Sequence, residues 1–227
     1  RRTADRVWVE DQGRVIVQPS SDVRVPVTDV ALAAGAALVL ALPPYSILPF
    51  ALIAFAVLAI MLHGTPWPVA FRIGYLFGLG QFVPGLFWIT ESFQVEADRF
   101  GWLALPAVFG LAALLAVFPA FACALAARMA RAGLPLSLSL ATGWTGLEWL
   151  RGHVLTGFPW NLAAYTLADW LPFAQVASLV GSYGLGFLLV LCSALVGLAF
   201  PAPARRLQVI CFASATAIAV IVAGFGA

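Results

Sequence analysis

Lysine is absent, and all twelve basic residues are arginine. Charge of either sign is scarce, at 10% of residues where a soluble domain carries about 25%. Only two histidines occur, His63 and His153, too far apart in sequence for metal-ligand spacing. The three cysteines, Cys123, Cys192 and Cys211, all fall in apolar runs without a C-x-x-C pair. This excludes a zinc site and a disulfide framework and predicts buried structural thiols. A net charge of +2 with scattered arginines excludes nucleic acid as a partner. No cofactor motif is present, and no metal or cofactor is expected. What is abundant is apolar surface: 63% hydrophobic residues and a mean hydropathy of +0.99. A chain of 227 residues cannot hide that much from water, so lipid must be its solvent.

Residues 1–29 are the exception, a polar arm with five arginines and five acidic residues and no signal-peptide pattern. Within it "RVWVEDQGRVIVQP" alternates like a hairpin about Gln12–Gly13. From Val30 the chain reads as an all-α membrane protein. We expect a polytopic bundle of about seven transmembrane helices, spanning residues 30–43, 47–62, 70–91, 102–127, 132–150, 172–200 and 207–226. "PPYSILP" (Pro43 to Pro49) divides the first long run into a helical hairpin, because proline removes a backbone donor and clashes with the preceding turn. Pro84, Pro106 and Pro119 are expected to kink their helices.

Arginine placement predicts the orientation. With a cytoplasmic N-terminus, the inner loops hold Arg72, Arg128, Arg131, Arg205 and Arg206, while the acidic Glu91, Glu96, Asp98, Glu148 and Asp169 fall outside. Residue 227 then lies on the outer side. Trp88, Trp102, Trp149, Trp160 and Trp170 map to the outer interface and Trp67 alone to the inner one. An aromatic belt explains this, and so does an outer platform for lipid or a partner domain.

The polar residues gather in one place. Glu148 and Arg151 are three apart at the end of the fifth span, share a helix face and can pair. An ionisable pair beside the membrane marks either a functional site or a fixed helix end. His153 has no Ser, Cys or Asp placed to form a triad. "GYLFGLG" (Gly74 to Gly80) carries a G-x-x-x-G, which close helix packing explains. "GSYGLG" (Gly181 to Gly186) lies inside an apolar span with no strand before it, so a phosphate-binding role is rejected. In "LRGHVLTGFPWN" (Leu150 to Asn161), Gly152, Gly157 and Pro159 shape a turn, and Phe158 and Trp160 can lie at headgroup depth.

Glu148 to Leu195 closely resembles the signature region of bacterial apolipoprotein N-acyltransferases. The matching positions include Glu148, Arg151, Gly152, Thr156, Gly157, Phe158, Pro159 and Trp160, followed by Gln175, Gly181, Gly184 and Phe187. "LALPPYSILP" and "GYLFGLGQFVPGLFWI" are similar to earlier stretches of the family; residues 1–29 match nothing in it. The resemblance implies a multi-pass enzyme of the bacterial inner membrane. Its acyl donor is a phospholipid, and its acceptor is the diacylglyceryl-cysteine amine of a lipoprotein. It also implies an outer nitrilase-like domain carrying a Glu–Lys–Cys set. With no Lys and no cysteine outside the apolar runs, this chain is expected to hold no catalytic residue and to be inactive alone, truncated before that domain. Glu148, Arg151, Thr156, Gly157, Phe158, Pro159 and Trp160 are then the substrate-binding or domain-docking residues. The alternative is a small transporter or channel, although no mid-span charge or internal repeat is evident. A self-contained lipid enzyme working through Glu148, Arg151 and His153 is a third reading.

Overall fold

The computed structural model describes residues 8–11, 14–17, 27–154, 157–200, 202 and 205–225. Two short antiparallel strands come first, β1 (Trp8–Asp11) and β2 (Arg14–Val17), with Asp11 facing Arg14 in the register that the alternating pattern predicts. Thereafter the described residues are helical. The helices are α1 (Val27–Val39), α2 (Pro49–Leu62), α3 (Trp67–Gly85), α4 (Ala97–Phe100), α5 (Ala104–Leu115), α6 (Val117–Arg131), α7 (Leu136–His153), α8 (Leu171–Ala174), α9 (Ala177–Ala199) and α10 (Arg205–Phe225). Turns of 3-10 helix occupy Phe87–Gln94, Gly101–Leu103 and Ala163–Leu167. This is an all-α membrane protein.

Four stretches, Trp67–Gln94, Ala97–Arg131, Ala177–Ala199 and Arg205–Phe225, are long and apolar enough to cross a bilayer. α1 and α2 have 13 and 14 residues, so each rises only about 20 Å. α1 begins at Val27, three residues before the apolar run starts. Of the three prolines expected to kink helices, only Pro119 coincides with an interior break. The axis breaks at Ala116, where Pro119 cannot donate to the carbonyl of Leu115 and its ring crowds that carbonyl. Pro106 lies in the first turn of α5, where its missing N–H has no partner to lose, while Pro84 cannot donate to the Gly80 carbonyl and α3 ends one residue later. The helix α9 has a kink that proline does not explain: Gly181 sits at φ 71°, ψ 175°.

The packing order is a closed ring, α1–α3–α6–α7–α9–α2 and back to α1, with α5 beside α3 and α10 outside on α9. Phe55, Phe77 and Trp144 fill its centre, with Trp144 set edge-on to Phe55 at 4.9 Å and to Phe77 at 5.6 Å. All three are buried. Aromatic pairs of this geometry stabilise a core beyond the area they bury. A plug of this kind leaves no room for an aqueous path through the ring, so the channel reading gains no support.

Lipid provides no hydrophobic drive between helices, so close backbone approach has to hold the ring together. Gly74 and Gly78 of the G-x-x-x-G both face α6, against Pro119 and Ala116, while Gly35 and Gly80 interlock α1 with α3. Cys123 is buried as expected, whereas Cys192 and Cys211 are only half-buried.

Candidate functional site

The fifth apolar run becomes α7, and its last turn carries Glu148, Arg151 and His153 to one end of the bundle. There the helix stops and the chain doubles back. The amide of Gly157 donates to the Val154 carbonyl at 2.9 Å, and that of Phe158 to the Arg151 carbonyl at 3.0 Å. Gly157 adopts φ 77°, and a Cβ there would strike the carbonyl of Gly152, so the turn requires glycine twice over. The stretch "LRGHVLTGFPWN" is therefore a helix stop folded back on its own last turn. Thr156 lies outside the described residues.

Glu148 and Arg151 meet as their spacing predicts, with Arg151 Nη2 3.8 Å from Glu148 Oε1. They are enclosed by protein: side-chain exposure is 7% for Glu148 and 3% for Arg151. At 3.8 Å the pair is an ion pair without a hydrogen bond. The short contact of the carboxylate goes elsewhere, to the backbone amide of Ala163, which donates to Oε1 at 2.9 Å. Arg151 lays its guanidinium over the Phe82 ring, 4.9 Å from the centroid. A charge-assisted bond to a backbone amide is among the stronger hydrogen bonds. Here it ties the loop after α7 to the end of α7 itself.

Two further contacts join the cluster, and a third, exposed one lies outside it. Gln81 of α3, fully buried, donates through Nε2 to the Asn161 carbonyl at 3.1 Å. Thr166 Oγ1 donates to the Ala163 carbonyl at 2.8 Å, closing the 3-10 turn. Ser46, in the turn between α1 and α2, donates through Oγ to Asp169. Gly186 of α9 faces the Glu148 carboxylate and the Ala164 amide, and its lack of a side chain lets α9 approach both. The space between Gln81, Phe82, Trp144, Glu148 and Arg151 is about 10 Å³. That is about the room one water needs and too little for any substrate.

Aromatic rings lie around this cluster at the same end. Trp88 and Trp160 stack at 4.6 Å, and Phe158 tilts against Trp160 at 5.1 Å. Trp149 stacks on His153 at 4.4 Å, and the His153 Nδ1 lies 2.7 Å from the Trp149 carbonyl. Trp160 and Pro159 are exposed. Phe158 is half-buried, packed against the buried cluster that Phe82, Leu86 and Val108 help to form.

The structure thus brings Glu148, Arg151, Gly157, Phe158 and Trp160 together, and adds residues that the motif did not name: Gln81, Asn161, Ala163 and Gly186. A signal existed for Gln81, the one side-chain amide in the run Ile73–Thr90. None existed for Ala163, which contributes only its backbone. Gln175, part of the resemblance, lies exposed at the end of α8 and takes no part in this cluster.

Residues 34–195 match the model of the family described as "Apolipoprotein N-acyltransferase N-terminal domain". Among curated proteins the chain is similar to an apolipoprotein N-acyltransferase of Bradyrhizobium diazoefficiens, 44% identical over 205 residues, covering 87% of this chain and 38% of that protein. It is similar to that of Rhodopseudomonas palustris, 44% identical over 167 residues, covering 71% of this chain and 31% of the relative. The Caulobacter vibrioides protein is 44% identical over 163 residues, with 68% of this chain and 30% of the relative covered. The chain spans about a third of the length of the curated relatives it matches.

Proposed function

Because the chain belongs to the apolipoprotein N-acyltransferase N-terminal domain family, we propose that it forms the membrane part of such an enzyme. The reaction moves an acyl chain from a phospholipid to the N-terminal diacylglyceryl-cysteine amine of a lipoprotein. The observation that carries this reading is the closed state of the Glu148 cluster. A carboxylate bound to the Ala163 amide and enclosed in about 10 Å³ cannot reach a substrate atom. It is built to hold Trp88, Phe158 and Trp160 in place beneath whatever works above them.

Acyl transfer through a thioester needs a nucleophilic thiolate with a base and a cation beside it. This chain has no Lys, and Cys123, Cys192 and Cys211 lie within α6, α9 and α10. The family resemblance assigns the chemistry to an outer nitrilase-like domain of the full protein, with this bundle as its anchor and its access to lipid. Pro159 and Trp160 are the exposed part of the docking face, with Glu148, Arg151, Gly157 and Phe158 holding them from beneath, and Thr156 of the same motif is assigned to it by the resemblance. A purified sample of this chain, given phospholipid and diacylglyceryl peptide, is expected to form no hydroxylamine-sensitive acyl adduct and to transfer no acyl group. An adduct on any of the three cysteines with turnover would overturn the assignment.

The docking face is the outer side of the bacterial inner membrane, with the N-terminus in the cytoplasm. The arginine bias supports this, and so does the grouping of segments expected outside: Ser46 reaches Asp169, and Trp88 reaches Trp160. Single reporter cysteines near residues 96 and 168 should react with a membrane-impermeant maleimide added outside. A reporter at Arg205 or Arg206 should react only after permeabilisation, and labelling there in intact cells would reverse the orientation.

A further inference from the structure

A groove on the lipid-facing side of α6 ends on a cation. Trp67 and Phe71 of α3, Phe121 and Leu125 of α6, and Leu147 and Leu150 of α7 line a space of about 490 Å³, and Arg128 closes one end. Phe71 and Phe121 pack edge-to-face at 5.1 Å to form its floor. Trp67 is the first residue of α3 and Arg128 lies in the last turn of α6. The charged end is thus the end of the bundle opposite the Glu148 cluster. From Arg128 to Phe121 the helix rises about 10 Å. The groove continues to Leu147 and Leu150 in the last turns of α7.

Among the described residues of the flanking helix ends and connections, the charge around the opening has one sign. Arg72, Arg128 and Arg131 are all exposed, and the connections 63–66 and 132–135 carry no acidic residue. Trp67 is exposed beside them, suited to headgroup depth. Apolar walls beneath a cationic rim match the two halves of one molecule. The geometry points to a binding site for an anionic phospholipid, its phosphate and headgroup against Arg128 and its acyl chain along Phe121 and Leu125. Basic pockets between transmembrane helices commonly hold anionic headgroups in this way. The inference does not rest on acyl transfer. The lipid is a resident one, in the leaflet facing away from the docking face.

The test uses the full chain in detergent, titrated with phosphatidylglycerol or phosphatidylethanolamine of identical acyl chains, and counts bound lipid by native mass spectrometry. Because it needs no membrane sidedness, its outcome is independent of the orientation experiment. Phosphatidylglycerol is expected to bind more tightly. Arg128→Gln should weaken it about fivefold, the weight of one basic residue beside an anionic group, and abolish the preference. Arg128→Lys should keep the preference, as should Arg206→Gln, whose charge lies outside the groove. Leu125→Trp, which fills the groove, should weaken both lipids alike. The site is overturned if Arg128→Gln keeps the preference, if Arg206→Gln lowers it equally, or if Leu125→Trp changes nothing. A chain that sheds all lipid and runs as a dimer through Phe121 would assign the groove to a second copy instead.

Discussion

Arg151→Leu is expected to be the most damaging single change at the docking face, lowering stability by about 3–5 kcal/mol. It leaves the Glu148 carboxylate enclosed by Phe82, Trp144 and Gly186 without the cation that pairs with it. For a chain of this size each kcal/mol moves the melting temperature by about 2–4 °C, so thermal unfolding in detergent should fall by roughly 10 °C. Glu148→Gln should cost less, about 1–3 kcal/mol. The glutamine oxygen can still accept from the Ala163 amide, and Arg151 keeps the Phe82 face. The double variant should be milder than the sum of the singles, because each single change strands the other's charge. In a full-length enzyme, thioester formation should decline in step with folded protein. Suppose instead that Glu148→Gln folded and inserted normally but lost acyl transfer together with one limb of its pH profile. Glu148 would then be a catalytic carboxylate, and the docking reading would be wrong.

Much of the fold was legible because a lipid solvent demands long apolar runs. The charge-free stretches from Val30 onward announced helices, and "PPYSILP" announced the break between α1 and α2. The alternation around Gln12–Gly13 likewise announced β1 and β2. The spacing of Glu148 and Arg151 announced that they meet, since three residues is a local helical relation. Their depth was not legible. Burial of the pair depends on Gln81 of α3, the Ala163 turn and Gly186 of α9 converging on the end of α7, which is a property of ring order rather than of any segment. The same holds for Phe158, which packs against a buried cluster that draws Phe82 from α3 and Val108 from α5. The Gly181 kink was hidden because the same glycines would serve a straight, closely packed helix equally well.

Gly35→Ala and Gly80→Ala should each destabilise the bundle by about 3 kcal/mol, an unusually large effect for one methyl group. The usual relief of overpacking is a side-chain rotation, and here none is available. A Cβ on Gly35 would meet the backbone of Phe77 and Gln81, and a Cβ on Gly80 would meet the backbone of Leu32 and Ala36. Main chain opposes main chain, so α1 and α3 must move apart along their length, losing the close contact on which helix association in lipid depends. Gly110→Ala and Gly146→Ala are the matched controls, since open space surrounds both positions. Each should be neutral or gain up to about 1 kcal/mol, because alanine is the better helix former. The Gly80 change should also be felt at a distance. Gln81 follows it directly and holds the Asn161 carbonyl, so displacing α3 should release the segment from Phe158 to Ala163. Hydrogen exchange at the Phe158 and Ala163 amides, bonded to the Arg151 carbonyl and the Glu148 carboxylate, should quicken in Gly80→Ala and stay slow in Gly146→Ala. If Gly35→Ala and Gly80→Ala melted with the controls, the α1–α3 seam could not be what positions Gln81. The loop would then depend on the Glu148 carboxylate alone.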